Sequence, residues 1–329
     1  MKIRYSELDI MKGIGILFVY LGHSFNINGL EKKDYFIYFF RLAYSFHMPL
    51  FFFISGLLSN SNKDIVLGKF YKNKIKRLLI PYLFINFIDF FPRTIFPNLV
   101  NSKFGGIKEI IFYGTKISWF VYTLFIIFMI FPFLDKYILK KDKYYIFGFV
   151  LLIINYFKIF NEVEVLSLNA VFGYLIYFYI GYILKPMYDK IKNGIITENS
   201  FFIVIGIVFL FFSYKYYYLS LFNSIFFAMI GIFFTLNLSL RISEGNKIFN
   251  ILNFYGVNSI IFYLLEGFIT VVTRVILLRI IPLKYLNLFV ILFFLIRIIG
   301  AYLIIKFIIL KNNILLFLFG ENINKTREN

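Results

Sequence analysis

Residues 8–25 read LDIMKGIGILFVYLGHSF, a segment apolar enough to cross a membrane that still carries an aspartate, a lysine and a histidine. On a helix at about 100° per residue, Lys12 and His23 point within roughly 20° of each other, and Asp9 falls within about 60° of Lys12 on the same side. Eleven residues at 1.5 Å each put the histidine about 16 Å beyond the lysine. The three side chains therefore form a polar stripe along one helix face. Such a stripe can line a path for an extended ligand, and it is too long to be a compact triad.

The rest of the chain puts that helix in a membrane. Its 329 residues are 60% hydrophobic and 23% aromatic, with a mean hydropathy of +0.80, whereas soluble domains have about 45–50% apolar residues. The apolar runs are too many and too long for a cleaved leader plus a soluble body. The absence of cysteine excludes disulfides and thiolate metal sites. Two histidines with no carboxylate partner motif speak against a metal centre. A net charge of +18 would suggest nucleic acid in a soluble protein. Here the lysines gather in short loops on one side, as the positive-inside rule requires, and no nucleic-acid partner is expected.

Hydropathy and charge divide the chain into about ten transmembrane helices. The expected spans are Leu8–Ile27, Tyr35–Ser59, Leu78–Pro97, Ile117–Leu134, Tyr145–Phe160, Leu168–Leu184, Ser200–Tyr214, Phe222–Leu240, Phe254–Leu278 and Leu288–Leu310. Pro49 is expected to break the second. With both termini in the cytoplasm, the inner segments hold 20 Lys/Arg and the outer loops hold 8, the bias that fixes this orientation. The most basic inner loop is Asn60–Arg77. The expected architecture is an all-α, polytopic integral membrane protein forming one domain over 1–329. No appended soluble domain, internal repeat or low-complexity linker is visible. The lysine-, asparagine- and isoleucine-rich wording suits an AT-rich bacterial genome, and for a multi-pass protein of such a source the expected place is the cell (inner) membrane.

Charged groups inside the bilayer are costly, at about 3 kcal/mol each on insertion scales, so each needs an account. Lys12, Arg41, Asp89, Arg93, Glu266, Arg274 and Arg297 all fall within or near the ends of spans. Asp89 and Arg93 have the i, i+4 spacing of a neutralising pair, and a substrate contact is the alternative. Arg274 follows Glu266 by eight residues, on nearly the same face. Arg297 lies deep in the last span, and Glu266 is the partner expected for it. His23 fits two readings, a hydrogen-bonded packing residue or a group that moves a proton near neutral pH. Gly13, Gly15 and Gly22 lie on its helix, and small residues let a ligand or another helix approach the backbone.

Several stretches together resemble the membrane-bound acyltransferase family 3. The first span matches the family's N-terminal pattern through Leu8-Asp9, Lys12-Gly13-Ile14 and Gly22-His23, with lysine where many members have arginine eleven residues before the histidine. The second matches through Phe46-His47-Met48-Pro49-Leu50-Phe51-Phe52-Phe53-Ile54-Ser55-Gly56. Lys74 to Arg77 before Pro81-Tyr82, Trp119-Phe120 with Leu124, Asn258-Ser259 through Tyr263-Leu264-Leu265, and the closing Leu316-Phe317-Leu318-Phe319-Gly320 add weaker likeness. One position departs: many members have histidine after the late Tyr-Leu-Leu, and this chain has Glu266.

The resemblance implies an enzyme that moves an acyl group, most commonly acetyl, from cytoplasmic acyl-CoA to a hydroxyl of an extracytoplasmic or lipid-linked sugar. Its partners are then acyl-CoA as co-substrate, a sugar or glycan acceptor and the lipid bilayer. On this reading His23 is the general base. Glu266 is a second catalytic candidate that accepts a hydrogen bond from His23 or from the acceptor hydroxyl. Asp9, Lys12, Arg41, Lys74, Arg77 and Trp119 are the substrate-binding candidates. Lys12, Lys74 and Arg77 would form a cationic mouth for the donor's phosphates, with Asp9 assigned to Lys12; for Lys74 and Arg77 the alternative is positive-inside anchoring. Trp119 fits either an interfacial anchor or a platform for a sugar or adenine ring. His47 and Pro49 read as structural, the imidazole satisfying backbone groups that the proline frees. The rival reading is a transporter or flippase for polysaccharide or lipid-linked glycan, which buried charges and ten spans suit equally; a non-catalytic membrane scaffold is a second rival.

Overall fold

The computed structural model describes residues 5–25, 34–59, 66–95, 106–115, 117–137, 144–194, 198–215, 221–242, 244–281 and 285–321. The described regular structure is entirely helical. In chain order the helices are α1 (Ser6–Phe25), α2 (Asp34–Leu57), α3 (Leu67–Lys74), α4 (Ile80–Ile95), α5 (Trp119–Tyr137), α6 (Tyr144–Tyr156) and α7 (Leu168–Leu184). They continue with α8 (Tyr188–Lys192), α9 (Asn199–Lys215), α10 (Leu221–Arg241), α11 (Lys247–Val257), α12 (Ser259–Ile280), α13 (Leu286–Ile304) and α14 (Asn313–Leu318). Six described segments are long and apolar enough to span a bilayer: 6–25, 37–57, 119–137, 165–192, 259–280 and 286–309. Shorter apolar helices cover 144–156, 199–211 and 225–241, and α4 occupies the third expected span. The protein is a multi-pass membrane protein.

The chain divides into two compact units. The first comprises Met1–Leu58 and Tyr177–Leu303, and the second Ser59–Ile176 and Ile304–Asn329. In the first unit α1 is the central helix, packed against α2, α10, α11 and α12. Two-thirds of α1 is buried, against 39% for α12. On α12 the side chains of Val271, Val272, Val275 and Ile276 stay exposed, an apolar face that suits lipid chains rather than water. Leu8, Met11, Phe46, Leu50, Phe53, Phe209, Ile232 and Leu236 form the core that joins α1, α2, α9 and α10.

Two crossings in this unit depend on glycine. A Cβ on Gly13 would collide with the Leu252 carbonyl, and one on Gly256 with the Asp9 carbonyl. Helices α1 and α11 therefore touch backbone to backbone, as small residues allow in membranes. Gly56 against Phe178 and Gly181 against Phe53 bring α2 and α7 together in the same way.

The structure differs from the sequence reading at four places. The ninth span, expected as one segment from Phe254, is interrupted at Asn258, and α11 occupies part of the expected inner loop. Asn246 caps α11 by accepting from the Ile248 amide, and the glycine crossing buries its Leu252, Tyr255 and Gly256 although the sequence is only mildly apolar. Pro49 does not break α2, which is continuous from Asp34 to Leu57; packed neighbours hold a membrane helix together across a missing N–H. The basic loop is helical from Leu67, and α3 runs into α4 through a π-helical turn at Ile75–Leu79. That wide turn lies just before Pro81, whose ring would otherwise crowd the Arg77 carbonyl. In the outer loop expected at Asn98–Lys116, residues 107–113 are helical, ending in a second π turn at Glu109–Tyr113.

In the second unit, that loop is fastened by a buried polar knot. The Asn86 amide donates to the Ser118 hydroxyl at 2.8 Å and to the Tyr82 carbonyl at 2.7 Å, and Thr115 donates to the Asn86 carbonyl oxygen. The hydroxyls of Tyr82 and Tyr122 donate to the carbonyls of Ile110 and Ile111, each at 2.6 Å.

Candidate active site

The two catalytic candidates meet. Helix α1 carries His23 in its last turn, and α12 carries Glu266 two turns from its start. His23 Nδ1 lies 2.8 Å from Glu266 Oε2. The histidine side chain is 37% exposed and the carboxylate 7%, so the imidazole has access to solvent while its partner is enclosed. An ionised carboxylate only accepts hydrogen bonds. Nδ1 therefore carries the shared proton, and in the neutral ring Nε2 carries the lone pair.

Arg297 of α13 completes the cluster, fully buried beside Glu266. Its Nη1 donates to Glu266 Oε1 at 2.6 Å and to Thr270 Oγ1 at 2.7 Å. The Thr270 hydroxyl donates in turn to the same Oε1 at 2.7 Å. Nη2 of Arg297 donates to the Tyr20 carbonyl and the Ser24 hydroxyl on α1, and Nε donates to the Phe293 carbonyl at 3.2 Å. The guanidinium carbon sits 4.2 Å from the centre of the Phe293 ring. The Tyr20 hydroxyl donates to the Phe262 carbonyl at 2.9 Å, a second tie between α1 and α12. Gly22 gives Tyr44 room: a Cβ there would lie 2.9 Å from the tyrosine ring, which stands 6.2 Å from the His23 ring, centre to centre.

The expected Arg297–Glu266 partnership is thus present, together with the His23 contact. Thr270 and Tyr20 were not singled out by the sequence. The readable signals were the four-residue spacing of Glu266 and Thr270 and the hydroxyl next to His23. The links from Arg297 to α1 join residues 277 and 273 positions apart and have no local signature.

At the other end of α1, Lys12 Nζ lies 2.6 Å from Asp9 Oδ1. Glu7, also buried, accepts from the Tyr188 hydroxyl at 3.0 Å and pairs with Lys192 at 2.7 Å. Arg41 is half-buried on α2. Lys74, Arg77 and Trp119 belong to the second unit. The Lys74 ammonium lies 3.1 Å from the centre of the Phe128 ring. Arg77 is exposed, with Glu321 3.9 Å away, and Trp119 packs against Tyr174 at 5.3 Å. His47 is bonded through Nδ1 to the Ala43 carbonyl. Pro49 instead deprives the Ser45 carbonyl of its donor, so the imidazole does not serve the group the proline frees. Asp89 is buried, but the Arg93 side chain lies outside the described residues, and with it the expected pair.

A multi-pass helical membrane protein with a carboxylate-backed, half-exposed histidine suits transfer chemistry at a membrane. The model of the acyltransferase 3 family, described as an acyltransferase domain, matches residues 5–306. The chain belongs to that family. Comparison with curated proteins and with solved structures finds no match.

Proposed function

We propose that this membrane acyltransferase takes an acyl group, acetyl in the simplest case, from cytoplasmic acyl-CoA and places it on a hydroxyl of an extracytoplasmic or lipid-linked sugar. The observation that carries this reading is the contact between His23 Nδ1 and Glu266 Oε2 beside a half-exposed ring. It leaves Nε2 as the nitrogen for a substrate. In the reaction, Nε2 takes the proton of the sugar hydroxyl as its oxygen attacks the thioester carbonyl. The carbon–sulfur bond then breaks, and the departing thiolate recovers the proton from the imidazolium. The products are a sugar ester and free coenzyme A. General-base assistance of this kind contributes about 10²–10⁴-fold, and the adjacent carboxylate holds the ring in the orientation that presents Nε2.

Lys12 lies eleven residues before His23 on one continuous helix, about 16 Å away along its axis. That separation supports a donor lying along α1, with its phosphates toward Lys12 and its thioester at His23. Asp9 holds the Lys12 ammonium, and two of that group's three protons remain for an anion. Arg41 is proposed as a contact for substrate within the membrane; Lys74, Arg77 and Trp119, which belong to the second unit, are proposed as substrate contacts on the family's motifs alone. The orientation proposed has both ends in the cytoplasm of a bacterial inner membrane and treats the whole chain as one catalytic domain.

The test is mass analysis of surface glycans from cells with and without the gene. One acyl mass per modified residue should disappear with the protein and return on complementation. Glycans of unchanged mass would refute the reading.

A further inference from the structure

We propose that Arg297 is a positioning residue for acyl transfer that acts through Glu266; this rests on His23 being the base. An arginine keeps its charge even when buried, so a fully enclosed one must satisfy its donors within the protein. Arg297 does so completely. Five acceptors, Glu266 Oε1, Thr270 Oγ1, the Tyr20 and Phe293 carbonyls and Ser24 Oγ, take the five protons that a guanidinium carries. None is left for substrate, which removes Arg297 from the donor- and acceptor-binding groups.

What those five bonds do follows from where they end. On α12 they occupy Oε1 of Glu266 together with Thr270, and Oε2 alone faces His23. The two oxygens of one carboxylate thus have separate tasks, one anchored and one working. On α1 the bonds end on Tyr20 and Ser24, which stand three residues before and one residue after His23. A single side chain therefore fixes both partners of the His23–Glu266 contact, each from its own helix. A lysine would keep the charge but lacks the planar fork needed to reach both helices.

The experiment follows transfer of labelled acetyl from acetyl-CoA into the glycan fraction of membranes containing the full chain, normalised to folded protein. Partners that orient a working ligand from behind cost about 10–100-fold when lost. R297K should therefore lower kcat by about that factor, with KM for acetyl-CoA changed less than about twofold. T270V, which is nearly isosteric and removes the second donor to Oε1, should lower kcat about three- to tenfold with the same unchanged KM. Both effects should shrink to under about twofold when Glu266→Gln is already present, because groups that act through one another are not additive.

Losses that multiply with that of E266Q, or that appear in KM, would overturn the positioning role while leaving His23 as the base. So would kcat values for R297K and T270V equal to wild type per folded molecule. Full activity in H23A would instead remove the reading on which the proposal stands.

Discussion

At the scale of single residues, the chemistry turns on which atom of Glu266 does what. Its Oε2 accepts from His23, so replacing the acid with its amide keeps the shape and removes the negative charge that an imidazolium needs beside it. E266Q should therefore lower acyl transfer by about 10–100-fold, measured as labelled acetyl reaching membrane glycan, with protein abundance unchanged. A wild-type rate would leave the carboxylate without a part in the reaction. Much of this cluster was legible in the sequence. A histidine, a glutamate and an arginine inside apolar spans stand out because each is expensive there, and pairing Arg297 with Glu266 follows from charge alone. Tyr20 and Thr270 did not stand out, since a tyrosine carbonyl or a threonine hydroxyl in an apolar helix is common and cheap. Their importance comes only from what α13 brings against them.

Helices α1 and α11 illustrate what hydropathy cannot reach. The stretch KIFNILNFYGV of α11 has three polar residues and reads as a loop margin, yet it lies directly on α1. The reason is the absence of two side chains, at Gly13 and Gly256, and an absence has no hydropathy. Gly256→Ala would drive a methyl group into the Asp9 carbonyl, so the helices must separate. Forced overpacking of this kind costs about 1–3 kcal/mol. The variant should melt several degrees below wild type in detergent, read by thermal denaturation. Gly300→Ala on α13 is the control. A Cβ there meets nothing within 4 Å, and alanine in a helix interior is favoured by about 0.5–1 kcal/mol. Equal melting of the two variants would contradict the close crossing. The continuity of α2 through Pro49 has the same lesson, because tertiary packing decides whether a local breaker breaks.

For the whole molecule, the all-helical, multi-pass character was readable because bilayer thickness leaves marks on composition. The division into two compact units was not, since α7 and the last long helix run through both partitions without any change in composition. Family membership makes the molecule an acyltransferase, and the proposal adds a cytoplasmic thioester donor, a sugar acceptor and one imidazole between them. Transport of a glycan would need no thioester, and a scaffold would tolerate loss of the ring. The most direct test is donor-dependent transfer by wild type and H23A, present at equal levels in membranes supplied with labelled acetyl-CoA. The account predicts label in the wild-type glycan fraction and a loss of about 10²–10⁴-fold in H23A. Equal labelling by the two proteins would contradict it.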